Sequence, residues 1–197
     1  MRHIVRGSAA PVGATLLKTG QTTSYRTGDD GDLEKGRATS FSVLGSNNPF
    51  GNTNRFTDEL GGSTYTNNIV IDWSTYDGST VLGYYRTING GNVDWNQSVD
   101  GAAALSVGSY TSGWRLPNRQ EFNNIINDSI DYPLNYAPFN FPQSYSYWCS
   151  TSLHIAPTVY AYRYLIYNLD PVQQKTVSVN CRFFGVRTFT VTGTTLS

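Results

Sequence analysis

Charge is what this sequence has least of. Acidic and basic residues number 14 each in 197, so the formal net charge is zero and charged residues make up 14%, against about 25% in ordinary globular chains. Only three residues are lysines (Lys18, Lys35 and Lys175), and no basic tract occurs. Without one there is no footprint for a phosphate backbone, and nucleic-acid binding is not expected. No apolar run approaches the roughly 18 to 20 residues that carry a helix across a bilayer, so membrane insertion is not expected either. Histidine is limited to His3 and His154, and cysteine to Cys149 and Cys181. Neither cysteine lies in a CxxC pattern, which leaves a zinc site without support. The thiols are either free or, if the fold brings their strands together, paired. An apolar leader is also lacking: residues 1–7 have no hydrophobic region, and 9–17 are interrupted by Pro11 and Gly13. The expectation is a chain made in the cytoplasm without a secretory signal.

What the chain does have is aromatic and small polar residues. Aromatics reach 14%, with 14 Tyr, and Gly occupies 19 positions. That is enough to build a packed core rather than a disordered segment. Tyr together with Asn and Ser suits a β-rich, loop-rich surface, and adaptable binding loops use the same residues.

One stretch, residues 113–122, organises the rest. Trp114 and Leu116 alternate with Arg115 as in an extended segment, and Pro117 disfavours helix before it. Asn118 is placed to cap a helix, with Glu121 three residues on as the reciprocal acid of a capping box. Phe122, Ile125, Ile126 and Ile130 then recur at helical spacing, which predicts a helix to about residue 129. A first helix is predicted from Trp95 to about Val107, capped by Asp94 and stopped by Gly108.

Around these helices the pattern is β. Strands are expected at 55–58, 68–73 and 81–87, the last two forming a hairpin across the Asp77-Gly78 turn. After a proline-rich stretch at 131–143, read as a long exposed loop, strands are expected at 146–151, 158–167, 176–179 and 182–189. The fold class is therefore α+β, two mid-chain helices on mostly antiparallel strands. Residues 1–18 read as an N-terminal arm and 19–197 as a single domain. Within it, 19–68 form an extended lead-in and 69–190 the core.

At Trp114-Arg115-Leu116-Pro117-Asn118, with Glu121-Phe122 behind it, the chain resembles the C-terminal domain family of the Legionella collagen-like adhesin. Tyr147-Trp148-Cys149-Ser150-Thr151 is similar to the Tyr-Trp-Ser-Ser-Thr of that family, with Cys149 in place of the first Ser, and Gly185-Val186-Arg187 resembles its closing strand. The resemblance spans roughly residues 19–190. It implies a C-type-lectin-like fold in which Trp114, Arg115, Leu116, Pro117, Glu121, Trp148 and Arg187 are structural. It also implies a binding module of the kind found on bacterial surfaces, where adhesins bind sulfated polysaccharides, and in phage structural proteins. The family's helix cysteine, a collagen-like tract and the calcium-dependent sugar motifs of true C-type lectins are missing. The candidates for calcium are Asp29, Asp30 and Asp32 around Gly31, with an Asx-held turn as the alternative.

Catalytic groupings are sparse. A Cys149/His154 dyad is conceivable, but the two residues are expected to diverge, and no enzyme is expected. The candidate ligand-binding residues are tyrosines and their neighbours: Tyr136, Tyr145, Tyr160, Tyr162, Arg163, Tyr164, Tyr167 and Asn168. At period two Tyr160, Tyr162 and Tyr164 share one face and Arg163 points the other way. Such a row is a binding face, a subunit interface or a half-buried packed face. With the resemblance, the expectation is a phage virion protein (tail, fibre or capsid decoration) that binds a host-surface receptor, glycan or protein. It would work as a homo-oligomer, a trimer, with the arm on other virion proteins. The alternatives are a purely structural virion component and a bacterial surface adhesin.

Overall fold

A computed structural model describes residues 23–24, 27, 41–127, 130, 134–156, 158–165 and 172–197. The expected arm, the aspartates 29, 30 and 32, and Tyr167 and Asn168 lie outside the described residues. Within them the elements run β1 (Phe56–Thr57), β2 (Ile69–Asp72), a 3-10 turn (Trp73–Thr75), β3 (Thr80–Asn89), α1 (Trp95–Ala103), α2 (Arg119–Asn124), β4 (Ser146–Ser152), β5 (Tyr160–Leu165), β6 (Val172–Gln174), β7 (Cys181–Thr192) and β8 (Thr195–Leu196). The sheet order is β1-β2-β3-β7-β4-β5-β6, with β8 on β7. Every pairing is antiparallel except β4 with β7. The expected α+β class with a mostly antiparallel sheet holds.

Side-chain alternation gives the sheet two buried faces. Val70, Tyr84, Phe184, Val186, Tyr147 and Cys149 point to one face and pack on Phe122 and Ile125 of the α2 region. On the other face, Ile69, Ile71, Val81 and Phe189 pack with Val107 and Trp114. Trp148, Ala161, Cys181 and Phe183 pack with Ala102 of α1 and with Leu116. Each buried aliphatic or aromatic side chain of this kind contributes about 1.5 to 3 kcal/mol by leaving water. Gly83 marks a close approach, since a Cβ there would lie 2.4 Å from the Phe189 ring.

Both helices begin where the caps indicate. Asp94 and Asn118 each form a complete capping box, with Gln97 and Glu121 as the reciprocal side chains. Both helices end earlier than their periodicity predicts. After Ala103 the chain turns to bring Val107 into the core, where it is 5% exposed, and Val107 bridges Tyr110. After Asn124 the carbonyl that the next helical turn would use accepts instead from Arg55 Nη2, at 2.5 Å.

Three further expectations are corrected. Residues 41–68 are not a lead-in: Phe41 and Phe56 belong to the main cluster, and Arg55 is 1% exposed. Its 58–65 segment folds around Asp58, whose carboxylate accepts from the N–H groups of Leu60, Gly62, Thr64 and Tyr65. The described part of the proline-rich stretch, 134–143, is not an exposed loop either, because Leu134, Phe139 and Phe141 are buried at 3% or less. Finally, the strand expected at 176–179 is absent and β6 lies earlier. There the chain crosses α1, and Lys175 O accepts from Trp95 N and Cys181 O from Val93 N, so these carbonyls serve the helix entry.

Candidate functional site

The Trp114 to Phe122 stretch is a strut between sheet and helix. Arg115 exchanges two backbone hydrogen bonds with Val186 on β7, at 3.0 and 2.8 Å. Trp114 and Leu116 are buried, and the Trp114 indole N–H donates to Tyr110 O at 2.9 Å. The Arg115 guanidinium grips Glu121 with two hydrogen bonds of 2.7 and 2.5 Å, and Glu121 also accepts from Asn118 N. Burial opposes ionisation of Glu121, but the Arg115 and Asn118 donors outweigh it and hold its carboxyl below the ordinary value. Two more hydrogen bonds tie the helix start to β4: Ser150 N to Pro117 O and Arg119 N to Thr151 Oγ1.

This construction leaves a groove at the surface. A cavity of about 460 Å3 is lined by Asn118, Arg119, Gln120, Asn123 and Thr151. On β5, next to β4, the Tyr162 ring lies 4.5 Å from the Arg119 guanidinium. Deeper in, Tyr164 stacks on Phe122, with centroids 5.3 Å apart and planes at 26°. The groove thus offers amide groups, one hydroxyl, one cation and a supporting aromatic ring. Such groups hold a polar ligand by hydrogen bonds and stacking.

The tyrosine row splits as period two requires, Tyr162 and Tyr164 toward α2 and Arg163 toward the other face. There Arg163 lies 3.4 Å from both Cys181 Sγ and Gln173 Oε1. Tyr160 is half-buried at the far end of β5. Tyr145 is half-buried away from the groove and covered by the Arg182 guanidinium at 4.2 Å. Tyr136 is half-buried and packs against the core: its ring meets Phe41, Phe56 and Phe139, and its hydroxyl donates to Ile125 O at 2.7 Å. That hydroxyl is committed to the protein, which removes Tyr136 from the candidate ligand contacts. Trp148 is buried and donates to Val93 O, and Arg187 lies over Tyr110 and Phe189. Of the expected ligand set, Tyr162 touches a residue of the groove lining, Arg119.

Sequence reasoning missed Arg119, Gln120, Asn123 and Thr151. One signal was available for the first three: they are the polar face of the same short helix whose apolar face carries Phe122. Among the described residues no group of three metal-ligating side chains occurs, and no helix is long and apolar enough to cross a membrane. The Cys149 thiol is sealed in the core and pushed up to about 12 by burial, while His154 is exposed beyond the end of β4. Those two residues do not make a nucleophile and base. Comparison with family models, with curated proteins and with solved structures gives no match.

Proposed function

We propose that this protein is a non-enzymatic binding module of C-type-lectin-like fold, carried on a phage virion, that engages a host-surface glycan through the groove between α2, β4 and β5. The observation that carries the reading is the groove itself. Asn118, Gln120, Asn123 and Thr151 line a cavity of about 460 Å3 together with Arg119, which stacks on Tyr162. Amides and one hydroxyl arranged on two rigid elements suit the hydroxyls of a sugar, and the volume falls in the roughly 300 to 1,000 Å3 range of small-ligand sites. The resemblance in residues 114–122 and 147–151 supports the fold and the virion setting, with a trimer as the working assembly and residues 1–18 as its contact with other virion proteins.

A glycan array probed with the full chain, in parallel with an Asn123→Ala variant, tests the reading. Binding to at least one glycan that the variant loses is expected. Silence at high protein density sinks the receptor role and leaves a purely structural particle component.

A further inference from the structure

Among the described cavity-lining side chains only Arg119 is charged, and no described carboxylate forms an ion pair with it. Among the described residues the lining holds Arg119 and no carboxylate. Glu121, the acid nearest in sequence, is held by Arg115 and by Asn118 N. The Arg119 guanidinium makes no hydrogen bond to any described residue; its contact is the Tyr162 face at 4.5 Å. With its Cζ over that ring and no hydrogen bond to a described residue, the guanidinium keeps its N–H groups for a ligand.

The backbone donors at the start of α2 do not compete for this role. Gln120 N and Glu121 N donate to Asn118 Oδ1, and Arg119 N donates to Thr151 Oγ1. A ligand in the groove therefore meets side chains: the Arg119 fork, the amides of Gln120 and Asn123, and the Thr151 hydroxyl proton.

We infer that the groove takes a carboxylate-bearing saccharide, with Arg119 on the carboxylate and Gln120, Asn123 and Thr151 on ring hydroxyls. This rests on the groove being the binding surface proposed above. A guanidinium fork matches the two oxygens of a planar carboxylate. A densely sulfated polymer is held instead by many cations at once. This chain balances 14 basic residues with 14 acidic ones, and among the described residues places a single cation in the cavity. One fixed charge beside neutral hydrogen-bonding groups selects one acid per binding unit.

The test is isothermal titration of the full chain with tetragalacturonate, a glucuronate oligomer and sialyllactose, each paired with its methyl ester. Each pair has the same rings with and without charge. At least one acid is expected to bind tenfold or more tighter than its ester. Arg119→Gln is expected to bring that acid down to the level of the ester, and Arg119→Lys to restore only part of the difference, because the charge returns without the fork. Arg119 is exposed, so both variants are expected to unfold at the wild-type temperature, which a thermal scan checks.

Equal binding of acid and ester, unaffected by Arg119→Gln but lost in Asn123→Ala, overturns the acid assignment and leaves the groove as a neutral-glycan site. Silence from acids and esters alike overturns the groove as well. Displacement of the bound acid by dextran sulfate at equal or lower charge concentration assigns binding to charge density and overturns the carboxylate assignment.

Discussion

Arg55 and Asp72 form a buried, two-pronged ion pair at the centre of the fold. Arg55 Nε and Nη2 donate to the two carboxylate oxygens at 2.9 and 2.8 Å, and the side chains are 1% and 0% exposed. The remaining donors of the guanidinium reach Phe41 O and Asn124 O, and its plane lies 4.5 Å from both the Phe41 and Phe56 rings. Burial opposes the charge on Arg55, but Asp72 outweighs it and raises its pKa, so the guanidinium stays ionised. One side chain thereby joins β2, the 41–56 segment and the end of α2, the helix that lines the groove.

Asp72→Asn is predicted to be severely destabilising. It leaves a buried guanidinium without its counter-charge, a loss of about 3 to 5 kcal/mol. Chemical denaturation followed by tryptophan fluorescence measures it. A loss below about 1 kcal/mol would show that the carbonyls of Phe41 and Asn124 hold Arg55 by themselves.

Glu121 predicts one component of the acid sensitivity. Its folded pKa is depressed, so its contribution to stability is fully present above the ordinary glutamate value of 4.5. It is lost as pH falls through the lower folded value. Glu121→Gln should be less stable than the wild type at pH 7, and the gap should narrow as pH drops below about 4.5. Paired melting curves across pH 7 to 3 check this, and a gap independent of pH would show that the carboxylate charge is not what Arg115 and Asn118 recognise.

Gly83→Ala is predicted to destabilise by about 1 to 3 kcal/mol through overpacking. The new Cβ would sit 2.4 Å from Phe189 Cε2 and 2.9 Å from Ile71 Cδ1, both in packed interior. Denaturation midpoints give the number. Gly78→Ala, where nothing lies within 4 Å but φ is +101°, reports backbone strain without a clash.

The two cysteines should remain thiols under oxidising conditions. Cys149 points into the aromatic cluster with Phe184 and Cys181 into the opposite cluster with Trp148, so the sheet lies between them. Burial pushes both thiols up, which lowers their reactivity. Alkylation with mass readout should label neither in the folded protein and both after unfolding. Recovery of a linked peptide would contradict the sheet order around β4 and β7.

If the protein works as a trimer, light scattering should give about three times the 21.8 kDa chain mass. A strict monomer at high concentration would count against assembly.

Much of the local structure was legible in the sequence. Both helix caps, Asp94 and Asn118, and the Glu121 half of the second capping box are set by local spacing, and a carboxylate or amide at the cap binds its N–H partners whatever surrounds it. The alternation along β2, β3, β5 and β7 follows from the pleat, which sends successive side chains to opposite faces. The β2–β3 hairpin was readable for the same reason, since its turn and its strands are neighbours in the chain. Helix lengths were less legible, because Asn124 O is claimed by Arg55, a residue 69 positions away. The 134–141 segment looked exposed because proline-rich stretches usually run over surfaces; here Phe139 and Phe141 cover the sheet and turn it into core.

The sequence by itself determined the helix starts, the strand faces, the α+β class and the absence of a basic footprint, all consequences of local spacing and composition. Only the tertiary structure decided that Cys149 and Cys181 face apart, that Tyr136 packs against the core, and that Arg119 meets Tyr162 beside a cavity shared with Asn123 and Thr151. Those outcomes depend on which strands become neighbours. The parallel pairing of β4 with β7 joins segments distant in the chain. What selects it is the burial of both sheet faces at once, a global sum of packing energies that no local window contains.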